Sequence, residues 1–277
     1  MLFASKQWLM SGINTVLSEP HSTLLSGILF GARSGFPKDV AADFSTVGLT
    51  HIVAVSGYNI TLVMVAITCI LKGVGVGRKR AMWAVLVGIS MFTLFTGEAS
   101  SAVRAALMGG LVLFSQYKGR TQMIGHTLVV VATLMVALSP PILLHDAGFQ
   151  LSFLATLGLV YGSPIIARVT DHLPLWRWIK ELIDQTLSAI IFTAPLIIVE
   201  FSSFSLIALV ANILILPTMS LMMALGLGLV VVNIVGVLLG PFSVLWHLIT
   251  TPLVWFTWLI LQYILSITHF FAGIPYA

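Results

Sequence analysis

From Leu49 onward the chain alternates long apolar runs with short polar turns. The runs fall at 49–71, 81–96, 99–117, 122–138, 148–168 and 183–199, with two or three more within 203–271. A helix needs about 20 apolar residues to cross ~30 Å of hydrocarbon. The pattern therefore predicts an all-α, polytopic transmembrane bundle of about seven to nine spans. Residues 1–48 read differently. Trp8, Leu9, Ile13, Val16 and Leu17 recur at helical spacing, Pro20 precedes Leu24, Leu25, Ile28 and Leu29, and Pro37 precedes Val40, Phe44 and Val47. Three such short amphipathic helices cannot span a bilayer and are expected to lie in its interface or pack against the bundle. This divides the chain into an amphipathic segment, 1–48, and a transmembrane domain, 49–277.

Composition agrees with the pattern. Hydrophobic residues make up 58% and charged residues 8%, against about a quarter charged in a soluble domain. No Asp, Glu, Lys or Arg follows Glu200, so the last third has nothing with which to build a water-facing surface. In that third Pro217, Pro241 and Pro252 interrupt the runs, and broken or re-entrant helices are expected beside simple spans. The segment after Lys6, QWLMSGINTVLSEP, is too polar for the apolar core of a signal peptide. A single cysteine, Cys69, excludes an intrachain disulfide or a cysteine-based metal site. The seven histidines never fall at four-residue spacing, so neither a metal nor another cofactor is expected.

The loop charges are sorted by sign. Lys72, Arg78, Lys79 and Arg80, then Lys118 and Arg120, then Arg168, Arg177 and Lys180 occupy alternate turns, and the turns between them carry Glu98, Asp146 and Glu200. The positive-inside rule places the basic turns in the cytoplasm and the acidic turns, with the amphipathic segment, outside.

Four passages break the lipid-like pattern. In TVGLTHIVAVSGYN, Ser56 and Gly57 sit inside a predicted span with His51 and Asn59 on either side. A Ser-Gly pair there invites a kink whose polar groups line a path, or else Ser56 caps a helix end. In TGEASSAVRAALMGG, Arg104 is read as the one formal charge inside a span, about 7.5 Å from its helix start at ~1.5 Å per residue. It either snorkels outward or faces the bundle interior beside the small residues Ser100, Ser101, Ala105, Gly109 and Gly110. An inward Arg104 requires an anionic partner or a wet cavity. In DAGFQLSFLATLGL, Asp146 suits a helix N-terminus, and Gln150 and Ser152 can bond across helices. In TAPLIIVEF and LVANILILP, Pro195 and Pro217 are expected to kink or end helices, and Asn212 is a lone amide suited to joining helices.

HIVAVSGYN, TGEASSAVRAALM, GFQLSFLATLGL and TAPLIIVEF with LVANILILP occur in an order and spacing similar to the ComEC family's membrane-embedded competence region, and LLSGILFGARSGFPKDVAADFSTVG resembles its amphipathic lead-in. The resemblance covers about Leu24 to the last residue. It implies a multi-pass protein of the bacterial cytoplasmic (inner) membrane, forming the channel through which single-stranded DNA enters during natural transformation. Matched by position, His51, Ser56, Gly57 and Asn59 carry the first motif and Thr96, Gly97, Ser101 and Arg104 the second. Gly148, Phe149, Gln150, Ser152 and Gly158 carry the third, and Pro195, Phe201, Asn212 and Pro217 the last. Of these, Arg104, His51, Ser56, Gly57, Asn59, Ser101, Gln150 and Asn212 are the expected polar-path residues. Gly97, Gly148, Phe149, Ser152, Pro195 and Pro217 are expected to shape the fold.

Full-length members carry an outer oligonucleotide-binding-like domain and often a C-terminal metallo-β-lactamase-like domain. The chain has neither the length nor the histidine clusters for these, so nuclease activity is not carried over. The implied partners are single-stranded DNA, the lipid bilayer, separate DNA-binding and nuclease domains or proteins, and further copies of the chain.

Two other classes compete on the residues alone. A secondary transporter or ion channel for a small solute fits the interrupted helices and acidic outer turns, although no internal repeat is visible. A serine hydrolase using Ser56 with His126 or His247 lacks a GxSxG around the serine. The expected protein is a channel without catalytic residues.

Overall fold

The computed structural model describes residues 2–32, 35–53, 57–97, 100–119, 124–172, 174, 176–201, 207–239 and 243–274. Its regular structure is helical throughout. In chain order the helices are α1 (Leu2–Asn14), α2 (His21–Phe30), α3 (Lys38–Thr46), α4 (Thr50–Val53), α5 (Gly57–Gly73), α6 (Arg78–Thr96), α7 (Ser100–Tyr117), α8 (Ile124–Leu138) and α9 (Ile142–His145). Then come α10 (Ala147–Leu157), a π-helical turn at Gly158–Gly162, α11 (Ser163–Thr170), α12 (Arg177–Phe201), α13 (Ile207–Leu239) and α14 (Ser243–Ala272). Packing divides the chain into two units, Met1–Val55 with Ser205–Ala277, and Ser56–Phe204. These units do not follow the 1–48 and 49–277 division in chain order, because the first helices fold with the last ones.

In the first unit α13 and α14 pack along each other, and α2 packs against both. All ten residues of α2 are buried, so of the two roles open to the short helices α2 takes packing against the bundle. Leu25 and Leu29 fit against Gly226 of α13. The His21 ring lies 5.5 Å from that of Trp258, and its Nε2 is 2.8 Å from Oε1 of Gln262. The C-terminal carbonyls of a helix lack partners in their own ladder and favour a cation. Here Lys6 Nζ donates to the Phe30 carbonyl at 2.7 Å, and Gly31 closes α2 in the left-handed conformation. Asn233 Nδ2 donates to the Gly12 carbonyl, joining α13 to α1, and Asp43 meets His269 at 2.8 Å, joining α3 to α14.

The second unit is a set of helical hairpins. α7 lies between α5, α6, α8 and α10. Its glycines admit these neighbours: Gly109 faces Met64 of α5 and Gly110 faces Leu86 of α6. The helix ends confirm which turns lie together. Arg78, opening α6, donates to the carbonyl of Gln116, near the end of α7, at the basic end of the unit. Ser100, opening α7, donates to Asp146 ahead of α10 at the acidic end. At the basic end the ammonium of Lys180, 2.8 Å away, holds the Asp171 carboxyl below the usual carboxylate range by its hydrogen bond and charge. A depressed carboxylate contributes at neutral pH and stops contributing as pH falls, and on so exposed a group the contribution is small.

Six helical stretches among the described residues are long and apolar enough to cross a membrane. Helices α7 and α8 fill the spans expected at 99–117 and 122–138 without reaching that length and hydropathy. α7 carries Arg104 and several hydroxyls because its neighbours are protein, and α8 has 15 residues. Of the two outcomes expected of the prolines, a kink or a helix end, the second does not occur at the described ones, and Pro241 lies outside the described residues. Pro195, Pro217 and Pro252 lie inside α12, α13 and α14, which run through them. A proline in a membrane helix is tolerated when nearby groups satisfy the backbone it frees. Pro217 removes the helical donor to the Ile213 carbonyl, and in the same turn Thr218 donates to the Ile215 carbonyl and Tyr263 donates across from α14 to that of Leu214.

Gly27 is where α2 meets α4, and a Cβ there would stand 2.7 Å from Cγ1 of Val53, whereas one on Gly77 would meet open space. Gly27→Ala should therefore cost about 1–3 kcal/mol by overpacking while Gly77→Ala leaves stability unchanged. Thermal unfolding of the two variants in detergent measures the difference.

Candidate functional site

Arg104 projects from the second turn of α7 toward α10. Its Nε donates to Ser152 Oγ at 2.6 Å and its Nη1 to Thr156 Oγ1 at 2.8 Å. Ser152 and Thr156 stand one turn apart and so share a face of α10. The Thr156 hydroxyl spends its own proton on the Ser152 carbonyl, 2.8 Å away, which leaves its oxygen to accept from the guanidinium. Met108 Sδ lies 3.5 Å from Nη1, and the Phe153 ring lies 5.7 Å from the guanidinium carbon, at cation–π range. On the opposite side is Gly57, the first residue of α5, where a Cβ would stand 3.2 Å from Nη2 and 3.3 Å from Cβ of Ala105. Glycine is what leaves that approach clear.

Among the described residues no carboxylate lies within ion-pair distance of Arg104. Where an inward Arg104 is expected to meet an anionic partner or a wet cavity, the structure supplies two neutral hydroxyls. The difference has chemical weight, because hydroxyls accept from two of the five guanidinium N–H groups without cancelling the charge. The site holds a half-buried, oriented cation whose charge no carboxylate among the described residues neutralises.

The acidic end of the same helix pair is built around Asp146. Its Oδ1 accepts from the Phe149 backbone N–H at 2.9 Å, capping α10, and from Ser100 Oγ at 3.2 Å, tying in α7. Gly148 permits this closeness, since a Cβ on it would lie 2.9 Å from Ser100 Oγ. Below the cap, Phe149 and Phe153 pack with Leu128, Val131 and Met135 of α8, and Val103, Leu107 and Met108 of α7 close over them. That apolar layer fixes the distance between α7 and α10, and with it the reach of Arg104.

The other expected residues distribute as follows. Gln150 Nε2 bonds the Leu143 carbonyl of α9, so its bond across helices is present. Asn59 is buried and Ser101 half-buried, both in the second unit. Gly97 ends α6 at φ 91°, a conformation that favours glycine. In the first unit His51 of α4 and Asn212 of α13 interact side chain to side chain, with a further polar contact from the Gly48 backbone. Ser56 lies outside the described residues.

Three features were missed. Asp184 lies within the span Arg177–Glu200 and is buried at 4% exposure, so Arg104 is not the one formal charge inside a span. It accepts from Thr170 Oγ1 at 2.7 Å. Ser188, also buried, donates to the Gly158 carbonyl at 2.6 Å. The glycines of GLVYG form a notch against α12, and the signal for it was their one-turn spacing.

Residues 28–277 match the family model described as Competence protein. The chain belongs to the competence protein family. It is similar to ComE operon protein 3 of Bacillus subtilis (strain 168), at 27% identity over 213 residues. That match covers 76% of this chain and 26% of the relative, so the chain spans about a quarter of the relative's length. No solved structure matches it. Within the family match lie the Arg104 cluster, the Asp146 cap and the His51–Asn212 contact, and the protein is a helical, multi-pass membrane bundle.

Asp146→Ala should lower stability by about 1 kcal/mol through loss of the cap, and Asp146→Asn should keep most of it because an amide oxygen still accepts from Phe149. Unfolding midpoints in detergent give the comparison.

Proposed function

We propose that this chain provides the membrane passage for single-stranded DNA across the bacterial cytoplasmic membrane in natural transformation, and that it performs no chemistry of its own. Membership of the competence family supports the process. The observation that carries the passage is Arg104, a cation held inside the bundle by neutral hydroxyls. A phosphate of the strand can replace Ser152 and Thr156 as acceptor, and charge-assisted Arg–phosphate bonds are the stronger kind. Each phosphate then exchanges with the next while the hydroxyls hold the guanidinium between contacts. The acidic turns outside and the basic turns inside make the cytoplasmic end the favourable one for a polyanion. DNA-binding and nuclease domains or proteins supply the strand, which fits a relative about four times as long as the matched region.

Purified protein in liposomes with an imposed potential tests this reading. Labelled single-stranded oligonucleotide should enter, duplex should not, and entry should fall as salt rises. Losing a charged hydrogen bond is worth about 1.5–3 kcal/mol, so Arg104→Ala should cut entry by roughly 10- to 100-fold with insertion intact. Arg104→Lys keeps the charge but loses the fork and should fall between. Flux of a small cation without DNA would instead identify a transporter or ion channel. For the absence of chemistry, a serine-directed activity probe should label wild type and Ser56→Ala equally; labelling that depends on Ser56 would overturn it.

A further inference from the structure

The helix running from Ala147 to Thr170 has to serve two neighbours at once. Gly148, Ser152 and Thr156 face α7, where they meet Ser100 and Arg104. Gly158, Gly162 and Thr170 face α12, where Ser188 and Asp184 receive them. In a regular α-helix each residue turns the chain by about 100°. The 18 residues from Ser152 to Thr170 make about five whole turns, so the two side chains would point the same way. The 12 residues from Gly158 to Thr170 would leave those two about 120° apart. Neither prediction matches the contacts observed.

The π-turn at Gly158–Gly162 resolves this, because such a turn absorbs one extra residue. With one residue taken out of register, Gly158 and Thr170 come within about 20° of each other and Ser152 lies about 100° from Thr170. The wide turn is held from outside. Gly158's carbonyl accepts the i+5 backbone N–H of Ser163 and the hydroxyl of Ser188. Ser188 itself sits against Gly162, in a place a side chain would fill.

We infer that Ser188 is a positioning residue for the Arg104 site: it holds the one-residue register shift that presents Ser152 and Thr156 to Arg104 while α11 stays clasped to α12 through Thr170 and Asp184. The functional weight of this register rests on Arg104 being the phosphate contact, but the register is measurable without DNA.

The inference makes an unusual genetic prediction. Without the Ser188 hydroxyl the segment relaxes toward regular α-helix, and Ser152 turns away from Arg104. Deleting one residue of the turn, Val160, removes the surplus residue, so a regular helix then places both faces correctly. Ser188→Ala should therefore be harmful and the Val160 deletion should rescue it. Two readouts separate the inference from the DNA reading. In a Cys69→Ser background, paired cysteines at Ser100 and Gly148 report the α7–α10 contact by disulfide formation in membranes. Ser188→Ala should slow that cross-link by about two- to tenfold, the range expected for one hydrogen bond, and the deletion should restore it. Single-stranded oligonucleotide entry should follow the same order. Unchanged cross-linking in Ser188→Ala, or failure of the deletion to rescue it in protein inserted at the parent level, would overturn the inference. Cross-linking that behaves as expected while DNA entry stays flat in every variant would leave the positioning role standing and sink the DNA reading. Should the deletion not insert, adding an alanine after Val160 to wild type provides the second test: a further ~100° of rotation must abolish the cross-link, and its survival would count against the register.

Discussion

Inside a bilayer no water is at hand to satisfy a charged or polar group, so each one has to be answered by another part of the protein. Arg104 is one group on which this constraint falls, and much of the second unit is explained by how it is answered. The hydroxyls of Ser152 and Thr156 must face α7, the Phe149–Phe153 layer must hold α10 at the right distance, and Gly57 must leave the far side open. The helix that carries the cation packs against four others, α5, α6, α8 and α10.

The same requirement recurs at smaller scale. The Phe30 carbonyl takes the ammonium of Lys6, the Gly158 carbonyl takes the hydroxyl of Ser188, and Asp184 takes that of Thr170. In each case the donor comes from another helix, so satisfying an acceptor and fixing tertiary structure are one act. Serine and threonine hydroxyls that bond their own helix, as in Thr68, Thr93, Thr257 and Thr268, add no such link. Composition therefore overstates how many polar residues hold the bundle together.

The sequence made most of the helices legible because span length and the sign of loop charge are both set by the bilayer, which acts on every residue alike. Asp146 was readable as a cap, and the small residues of α7 as a packing face, because each rule is local. The continuity of α12 through Pro195 and of α13 through Pro217 was not readable. Whether a proline breaks a membrane helix depends on what neighbouring helices place around it, and Tyr263 of α14, which reaches the turn before Pro217, lies far away in sequence. The π-turn was hidden for a related reason. GLVYG looks like a small-residue contact motif, and nothing within it states that the neighbouring helix carries Ser188 at the level of its carbonyl. The neutral partners of Arg104 were not readable because a buried cation is usually argued to need an anion, whereas two hydroxyls one turn apart accept from its Nε and Nη1 instead.

The joining of Met1–Val55 to Ser205–Ala277 has a consequence for biosynthesis. A chain made from its first residue onward presents α2 early, when the helices that bury it have not been made. Residues 56–204, by contrast, are contiguous and can assemble as they emerge, as units of a larger protein generally do. For that interval α2, uncharged and covered on every side in the finished fold, has to be sheltered by the membrane surface or the insertion machinery. The order of synthesis and the order of assembly are therefore reversed for the first fifty-odd residues, and the first unit is the last to be completed.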